Sequence, residues 1–426
     1  MEERGLYFVD SDLPGTIHSL YSLATWKNGA AFKNVITSPT GKPIIKIAEL
    51  NNGISGNTVH TNQIFSEEIS LHAGDLVFAW SGNPDTSIDI YRYNLPDGWL
   101  NQHIFKITVK EDIVNKDFFY YLMKYLRPNF KKIASNKQTT GLGHVTISDL
   151  KALEVKIPDL STQERISQIL KCLDDKVIIN KKLSKNLENQ AQLVFKNFYI
   201  DFGKAETFED TDLGMIPSGW KVGVFEDIID STISGDWGND SPTGNYTHKV
   251  ACIRGCDFQD VKFGLRGKTP ERYILEKNYQ SKKFRDQDLL VEISGGTATI
   301  ATGRVCPISQ KMIENYEGDV VCTNFCRIVR PKEGYGAFAY YYWLYKYNTN
   351  VMFAYENGTS GIKNFSIRDF ISKEPIVIPP ADALSSFQRM ASTMHKEIQN
   401  IGSESQTICN IRDILLPRLM SGEIAL

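Results

Sequence analysis

Apolar residues fall into a seven-residue rhythm between Ser161 and Phe202. Ile166, Leu173, Asn180, Leu187 and Val194 mark one row, and Ile169, Leu170, Val177, Leu183, Ala191 and Phe198 fill the positions between them. This spacing predicts one long helix with an apolar seam. Roughly forty residues at about 1.5 Å each make a rod of about 60 Å. A lone helix of this kind leaves its stripe in water, so it needs a mate. The predicted mate lies far along the chain, where Phe387, Met394, Ile401, Ile408 and Leu415 repeat by sevens and Met390, Ile398, Ile411 and Leu419 complete the seam. The two rows superimpose at a shift of about 220 residues. Asn180 breaks the match, because its counterpart is Ile401; an Asn in a seam costs stability while fixing register. Ser161-x-x-Glu164 and Ser385-x-x-Gln388 are the expected caps.

The stretches outside the rods are also doubled. Pro43–Leu50 matches Ala251–Phe258, Asp75–Gly82 matches Asp288–Gly295, and Leu100–Val109 matches Val321–Arg330. Each is expected to be a strand. Aromatic helices follow from Asp117 and Ala337, and their rings are expected in the core. Thr140–Leu150 matches Ser360–Phe370 without a gap, with Thr146-x-x-Asp149 and Ser366-x-x-Asp369 as capping boxes. The shift between copies grows from about 208 to about 221 residues, far too long for a solenoid unit. The order is head, rod, head, rod. The expected fold is α+β: two repeated globular α/β heads separated by two long helices, which pack as an antiparallel coiled coil with pseudo-two-fold symmetry. Two similar heads at fixed separation suit duplex DNA, whose half-sites lie at fixed helical spacing.

Composition adds limits. The 426 residues carry a net charge of −2, so a DNA-binding chain of this kind must gather its Lys and Arg on one face. No run of about 18 apolar residues predicts a membrane span. The opening MEERGLYFVDSDLPG is acidic and has no apolar leader segment, so secretion is not expected. Seven cysteines, an odd number without framework spacing, fit a reducing cytoplasm. Cys252 with Cys256 and Cys322 with Cys326 invite a zinc reading. The first copy has Ile44, Ala48, Asn101 and Phe105 at the matching positions, so no metal is expected. A phosphate loop fails because Lys262 stands where the first Gly before Gly267-Lys268-Thr269 belongs. H-E-x-x-H and G-x-S-x-G are missing. No residue of the chain is expected to be catalytic.

Three segments carry a family resemblance: QLVFKNFYIDF at the end of the first rod, LGMIPSGW opening the second head, and NIRDILLPRLMSGEI after it. In these, and in its head–rod order, the chain resembles the specificity subunits of Type I restriction–modification enzymes. LPGTIHSLYSL near the start repeats the IPSGW opening only loosely. The resemblance implies that heads near 1–158 and 204–380 are target recognition domains, each reading half of a split double-stranded DNA target. It implies that rods near 159–203 and 381–426 are central and distal conserved regions, which set the unread spacer and dock two methyltransferase subunits. The complex would be an adenine-N6 methyltransferase of the prokaryotic cytoplasm, to which restriction subunits add translocation and cleavage. S-adenosylmethionine, ATP and Mg2+ would belong to those partners. The closest stretch to the [DN]-P-P-[YF] loop of adenine methyltransferases, Asn83-Pro84-Asp85-Thr86, lacks the second Pro and the aromatic. Two other readings stay open: the recognition subunit of a Type II-like enzyme, and a coiled-coil scaffold for protein partners.

Phosphate contacts come from Lys, Arg, hydroxyls and helix N-termini. In the first head the candidates are Lys131, Lys132, Lys137, Thr139, Thr140, Gly141 and His144, where a basic run meets a Thr-Gly loop ahead of a capped helix. Their second-head counterparts are Thr359, Ser360, Gly361, Lys363 and Asn364, and Lys282, Lys283 and Arg285 form another basic cluster. Ser81, Gly82 and Asn83, like Ser294, Gly295 and Thr297, leave a matched strand and could approach a groove. The plain alternatives are a solvated basic face and an ordinary strand exit.

Overall fold

The computed structural model describes residues 7–9, 11–137, 141–297, 299–358, 362–424 and 426. The chain divides into two compact units, Met1–Asp175 with Cys409–Leu426, and Lys176–Ile408. Each unit holds one head and one end of both rods, so the division runs across the rods.

Among the strands of the first head are β1 (Thr16–Ser19), β2 (Ala24–Asn28), β3 (Lys42–Ile45), β4 (His60–Thr61), β5 (Leu76–Ala79), β6 (Ser81–Gly82), β7 (Asp89–Arg92), β8 (Gly98–Leu100) and β9 (Ile104–Val109). Helices α1 (Lys116–Tyr125) and α2 (Arg127–Asn136) follow, then β10 (Gly143–His144), α3 (Ile147–Ala152) and β11 (Glu154–Ile157). An antiparallel sheet runs β2-β9-β5-β7, β3 lies parallel to β8 with β4 outside it, and β1 pairs with β11 and β6 with β10. The buried run Leu76–Ala79 forms β5 because both of its faces are covered.

The second head repeats these pairings. Its strands include β12 (Lys221–Val224), β13 (Ile229–Ser234), β14 (Tyr246–Ile253), β15 (Glu271–Leu275), β16 (Leu289–Glu292), β17 (Ser294–Gly295), β18 (Val305–Pro307), β19 (Val320–Cys322) and β20 (Cys326–Pro331). After α4 (Gly336–Asn348) come β21 (Lys363–Phe365), α5 (Ile367–Lys373) and β22 (Pro375–Ile378). The sheet order is β13-β20-β16-β18, β14 is parallel to β19 with β15 outside, and β12 pairs with β22 and β17 with β21. The loosely matched openings of the two heads, β1 and β12, thus make the same pairing. As expected, α1 and α4 bury their rings, among them Phe118, Phe119, Phe338, Tyr340 and Trp343.

One register differs from the sequence alignment. Leu100–Val109 is two strands with a turn between them, and so is its match. Ile104 pairs with Ala79, and Cys326 pairs with Glu292. Ala79 and Glu292 are themselves matched, so the shift here is 222 residues, one more than the sequence alignment used. A one-residue slip moves every side chain to the other face of a strand. Cys322 and Cys326 therefore stand where the first head has Leu100 and Ile104. All four are fully buried, so these cysteines replace core aliphatics. Cys252, likewise buried, has its thiol pushed up to about 12 by burial. Among the described residues, no group of three His, Cys, Asp or Glu side chains forms a metal-binding set.

The rods are Leu160–Tyr199 and Ala381–Ser421. In the first unit Arg412 donates to Asp174 at 2.7 Å. In the second, Asn180 donates to Glu404 and Ser405 at 2.8 and 3.1 Å, and Tyr199 donates to the Ala383 carbonyl at 2.8 Å. Partners fall along one rod as they rise along the other, so the helices are antiparallel. None of Ile166, Leu173, Asn180, Leu187, Val194, Phe387, Met394, Ile401, Ile408 or Leu415 is exposed. The intervening row differs from expectation. Ile169, Leu183 and Ile411 are exposed, while Gln163, Ser167, Ser184 and Glu188 are buried. Two of these inward positions hydrogen-bond to the heads: Gln163 takes the Asn115 N–H and donates to the Ile113 carbonyl, and Glu188 accepts from the Tyr340 and Tyr341 hydroxyls.

The caps also differ. Asp159, not Ser161, caps the first rod by accepting from the Thr162 N–H and hydroxyl at 3.0 and 2.8 Å. Ser385 lies inside the second rod and donates to the Asp382 carbonyl. Asp149 accepts from the Thr146 N–H and hydroxyl at 2.8 and 2.7 Å, the return half of a capping box, whereas Ser366 makes only its side-chain bond to Asp369. Among the described residues, no helix is long and apolar enough to cross a membrane.

Candidate nucleic-acid interface

Three segments distant in sequence meet in each head: the exit of a central strand, the turn between two strands, and the segment before a capped helix. In the first head the Trp80 N–H donates to the His103 carbonyl at 3.2 Å, and the Val145 N–H donates to the Trp80 carbonyl at 2.8 Å. In the second, the Ile293 N–H donates to the Phe325 carbonyl and the Phe365 N–H to the Ile293 carbonyl, both at 2.9 Å. The short ladders match too, pairing His144 with Ser81 and Asn364 with Ser294. Their side chains bond in both heads: Ser81 Oγ lies 2.8 Å from His144 Nδ1, and the Ser294 hydroxyl donates to Asn364 Oδ1.

A glycine fixes the turn in each head. A Cβ on Gly29 would run into the Asn101 and Leu100 carbonyl oxygens, and one on Gly235 into those of Thr323 and Cys322. The matched neighbours Ala30 and Asp236 donate to Leu100 and Cys322 at 2.9 and 2.7 Å. These contacts independently support the 222-residue register.

The basic candidates arrive mostly paired. Lys131 reaches Asp85 at 3.1 Å, and Lys137 reaches Asp149. Burial works to raise the Asp149 carboxyl, but Lys137 and Thr146 override it and hold it below its ordinary range. Lys132 is exposed. Lys363 is 2.6 Å from Glu356. Lys282 donates to the Gly235 carbonyl at 3.0 Å, beside the turn. Lys283 and Arg285 are exposed but precede β16, and Ser294 lies beyond its far end, so the strand's length separates them from the junction. Asn83 caps its own turn by accepting from the Asp85 N–H at 2.9 Å, and Thr297 accepts from the Ile300 N–H at 3.0 Å. Gly141, at φ +81°, is exposed. Thr139, Thr140, Thr359, Ser360 and Gly361 lie outside the described residues.

Other residues complete the surface. In the first head the Trp80 ring lies between those of His103 and His144, at 5.8 and 5.9 Å. The second head has a cleft of about 480 Å³ lined by Trp237, Arg254, Cys256, Ser294, Asn324 and Phe325, with Phe325 61% exposed. Arg272 lies over the Trp237 ring at 4.2 Å. Arg304 forks onto the buried Glu292, and this pairing raises its pKa further. Sequence reasoning missed Trp80, His103 and Phe325. The one available signal was a ring or imidazole at a matched turn, and a one-residue slip in the alignment hid it. Exposed rings and free polar tips beside a two-residue ladder can stack on bases and exchange hydrogen bonds with base edges.

The comparisons agree with this architecture. Residues 17–189 match the family model described as the Type I restriction modification DNA specificity domain. The chain is 26% identical over 330 residues to the MjaIX specificity subunit of Methanocaldococcus jannaschii, covering 75% of this chain and 72% of the relative. It is 23% identical over 400 residues to the HindI specificity subunit of Haemophilus influenzae, covering 78% and 84%. The crystal structure of a Type I S subunit from M. genitalium shares the fold, with a TM-score of 0.54 at 13% identity over 96% of this chain and 97% of that one.

Proposed function

Because the chain belongs to the specificity subunits of Type I restriction–modification systems, we propose that each head reads one half of a split DNA target and that the rods set the unread spacer. On this proposal the rods dock two methyltransferase subunits, and the chain contributes recognition without catalysis. S-adenosylmethionine, ATP and Mg2+ act on the methyltransferase and restriction partners. The observation that carries the proposal is the junction built twice: the same three segments and the same bonds, but different side chains at the surface. Two half-sites of different sequence call for just that combination, a shared scaffold with divergent tips.

The experiment is to map N6-methyladenine across a genome with and without this gene, alongside its methyltransferase partner. The expected result is one two-part motif with a fixed gap whose methylation disappears with the gene. An unchanged methylation map would overturn the proposal.

A further inference from the structure

Resting on that reading, we infer that residues 144 and 364 are equivalent base-reading positions, each locked by a serine and each accompanied by an exposed aliphatic, Leu142 or Ile362. Both positions sit in the two-residue ladder that opposes a strand exit. Leu142 stands two places before His144, and Ile362 two before Asn364, the spacing that puts side chains on one face of an extended segment. Leu142 is 51% exposed and Ile362 69%. Neither belongs to a core cluster, so neither contributes much to folding.

The next rung of each ladder has glycine on the strand-exit side, Gly82 opposite Gly143 and Gly295 opposite Lys363, at φ +134° and φ +152°. A Cβ there would strike Ser87 in the first head and Glu292 in the second. That rung therefore carries no side chain on the strand-exit side.

The serines decide what each reader presents. Ser81 is buried and engages Nδ1 of His144, leaving Nε2 as the ring's free polar atom. The Ser294 hydroxyl donates to Asn364 Oδ1, which turns the amide NH2 outward as a donor. In the major groove guanine offers two acceptors, O6 and N7, and adenine offers N7, while thymine offers a methyl group to an aliphatic neighbour. The inferred unit is an aliphatic contact and one polar contact per head, with the polar group differing between heads as the two half-sites differ.

The test uses the full chain assembled with its methyltransferase subunits and a pool of duplexes randomised across both half-sites. Asn364→Asp replaces the outward donor with an acceptor. The expected result is a change of at least about tenfold in base preference at one position of the second half-site, towards cytosine or another donor-bearing base, with the first half-site unchanged. Ile362→Ser should lower selection about fivefold or more at the adjoining position, and Ser294→Ala should relax the choice made by Asn364. Matched melting curves separate a folding defect from a reading defect, and Asn364→Gln, which keeps the donor, should preserve the original base. If Asn364→Asp selects the wild-type sequence, or alters both half-sites, the inference is overturned. If the wild-type assembly selects no sequence, the proposal that the heads read DNA falls instead.

Discussion

Glu188 is buried on the first rod and held by four groups of the same unit. Lys262 lies 2.7 Å from one oxygen, to which the Tyr340 hydroxyl also donates, at 3.0 Å. The Tyr341 hydroxyl donates to the other oxygen at 3.2 Å and lies 2.8 Å from His395 Nε2. Burial works to raise the Glu188 carboxyl, but Lys262, His395 and the Tyr340 hydroxyl override it and hold it low. Removing one partner of a buried pair strands the other, so Glu188→Ala should cost about 3–5 kcal/mol in denaturant melts. Burial lowers the His395 pKa, with Lys262 adding, against the pull of Glu188 and Asp286. A lowered imidazole contributes stability above its ordinary value of 6.5 and loses it as pH falls below that. Melting temperature should therefore drop more steeply between pH 7.5 and 5.5 in the wild type than in His395→Gln. None of this was legible in the sequence, where Glu188 and His395 look like surface residues of a rod. Lys137 and Lys363 show the converse, because a basic residue near a loop gives no sign of the carboxylate that folds against it.

At the scale of the element, periodicity carried far. Both rods were legible because a seam repeated by sevens has one geometric solution, and the strands of the two heads were legible because the same apolar runs occur twice. What failed were positions whose environment comes from elsewhere. Ser184 lies in the seam and Leu183 outside it, and no local pattern distinguishes them when a head covers part of the rod. The interface lay hidden because its three segments are far apart in sequence and are joined largely by backbone bonds, which leave no residue pattern. Asn180 gives a test at this scale. Ser405 also bonds the Ile401 carbonyl, and Glu404 also pairs with Lys176 at 3.2 Å, so Asn180→Leu strands neither partner. We expect it to raise stability by about 1 kcal/mol while loosening helix register. Melting curves, together with the spacer length tolerated in the methylation motif, would check both effects.

For the whole molecule, the second rod belongs to both units. Leu419 and Met420 enter the first unit's core, and Phe387 and Ala391 enter the second's. Truncation after residue 380 should therefore remove cooperative melting from both heads, which calorimetry would reveal as a broad, low-enthalpy transition. Exchange of residues 220–375 for a relative's should alter one half of the methylated motif alone, as sequencing of the modified genome would register.

Such exchanges meet a constraint at the second rod. Gly402 lies so close to the Phe263–Gly264 backbone that a methyl group there would collide with the Phe263 carbonyl oxygen, and Gln399 donates to Val261 and Lys262 at 3.1 Å each. An incoming domain whose corresponding turn is bulkier or shorter would not seat, however well it recognised its bases. Diversification of the second half-site is thus filtered by one bare spot on a helix, and donor domains that lack a fitting turn should succeed only when the rod is transplanted with them.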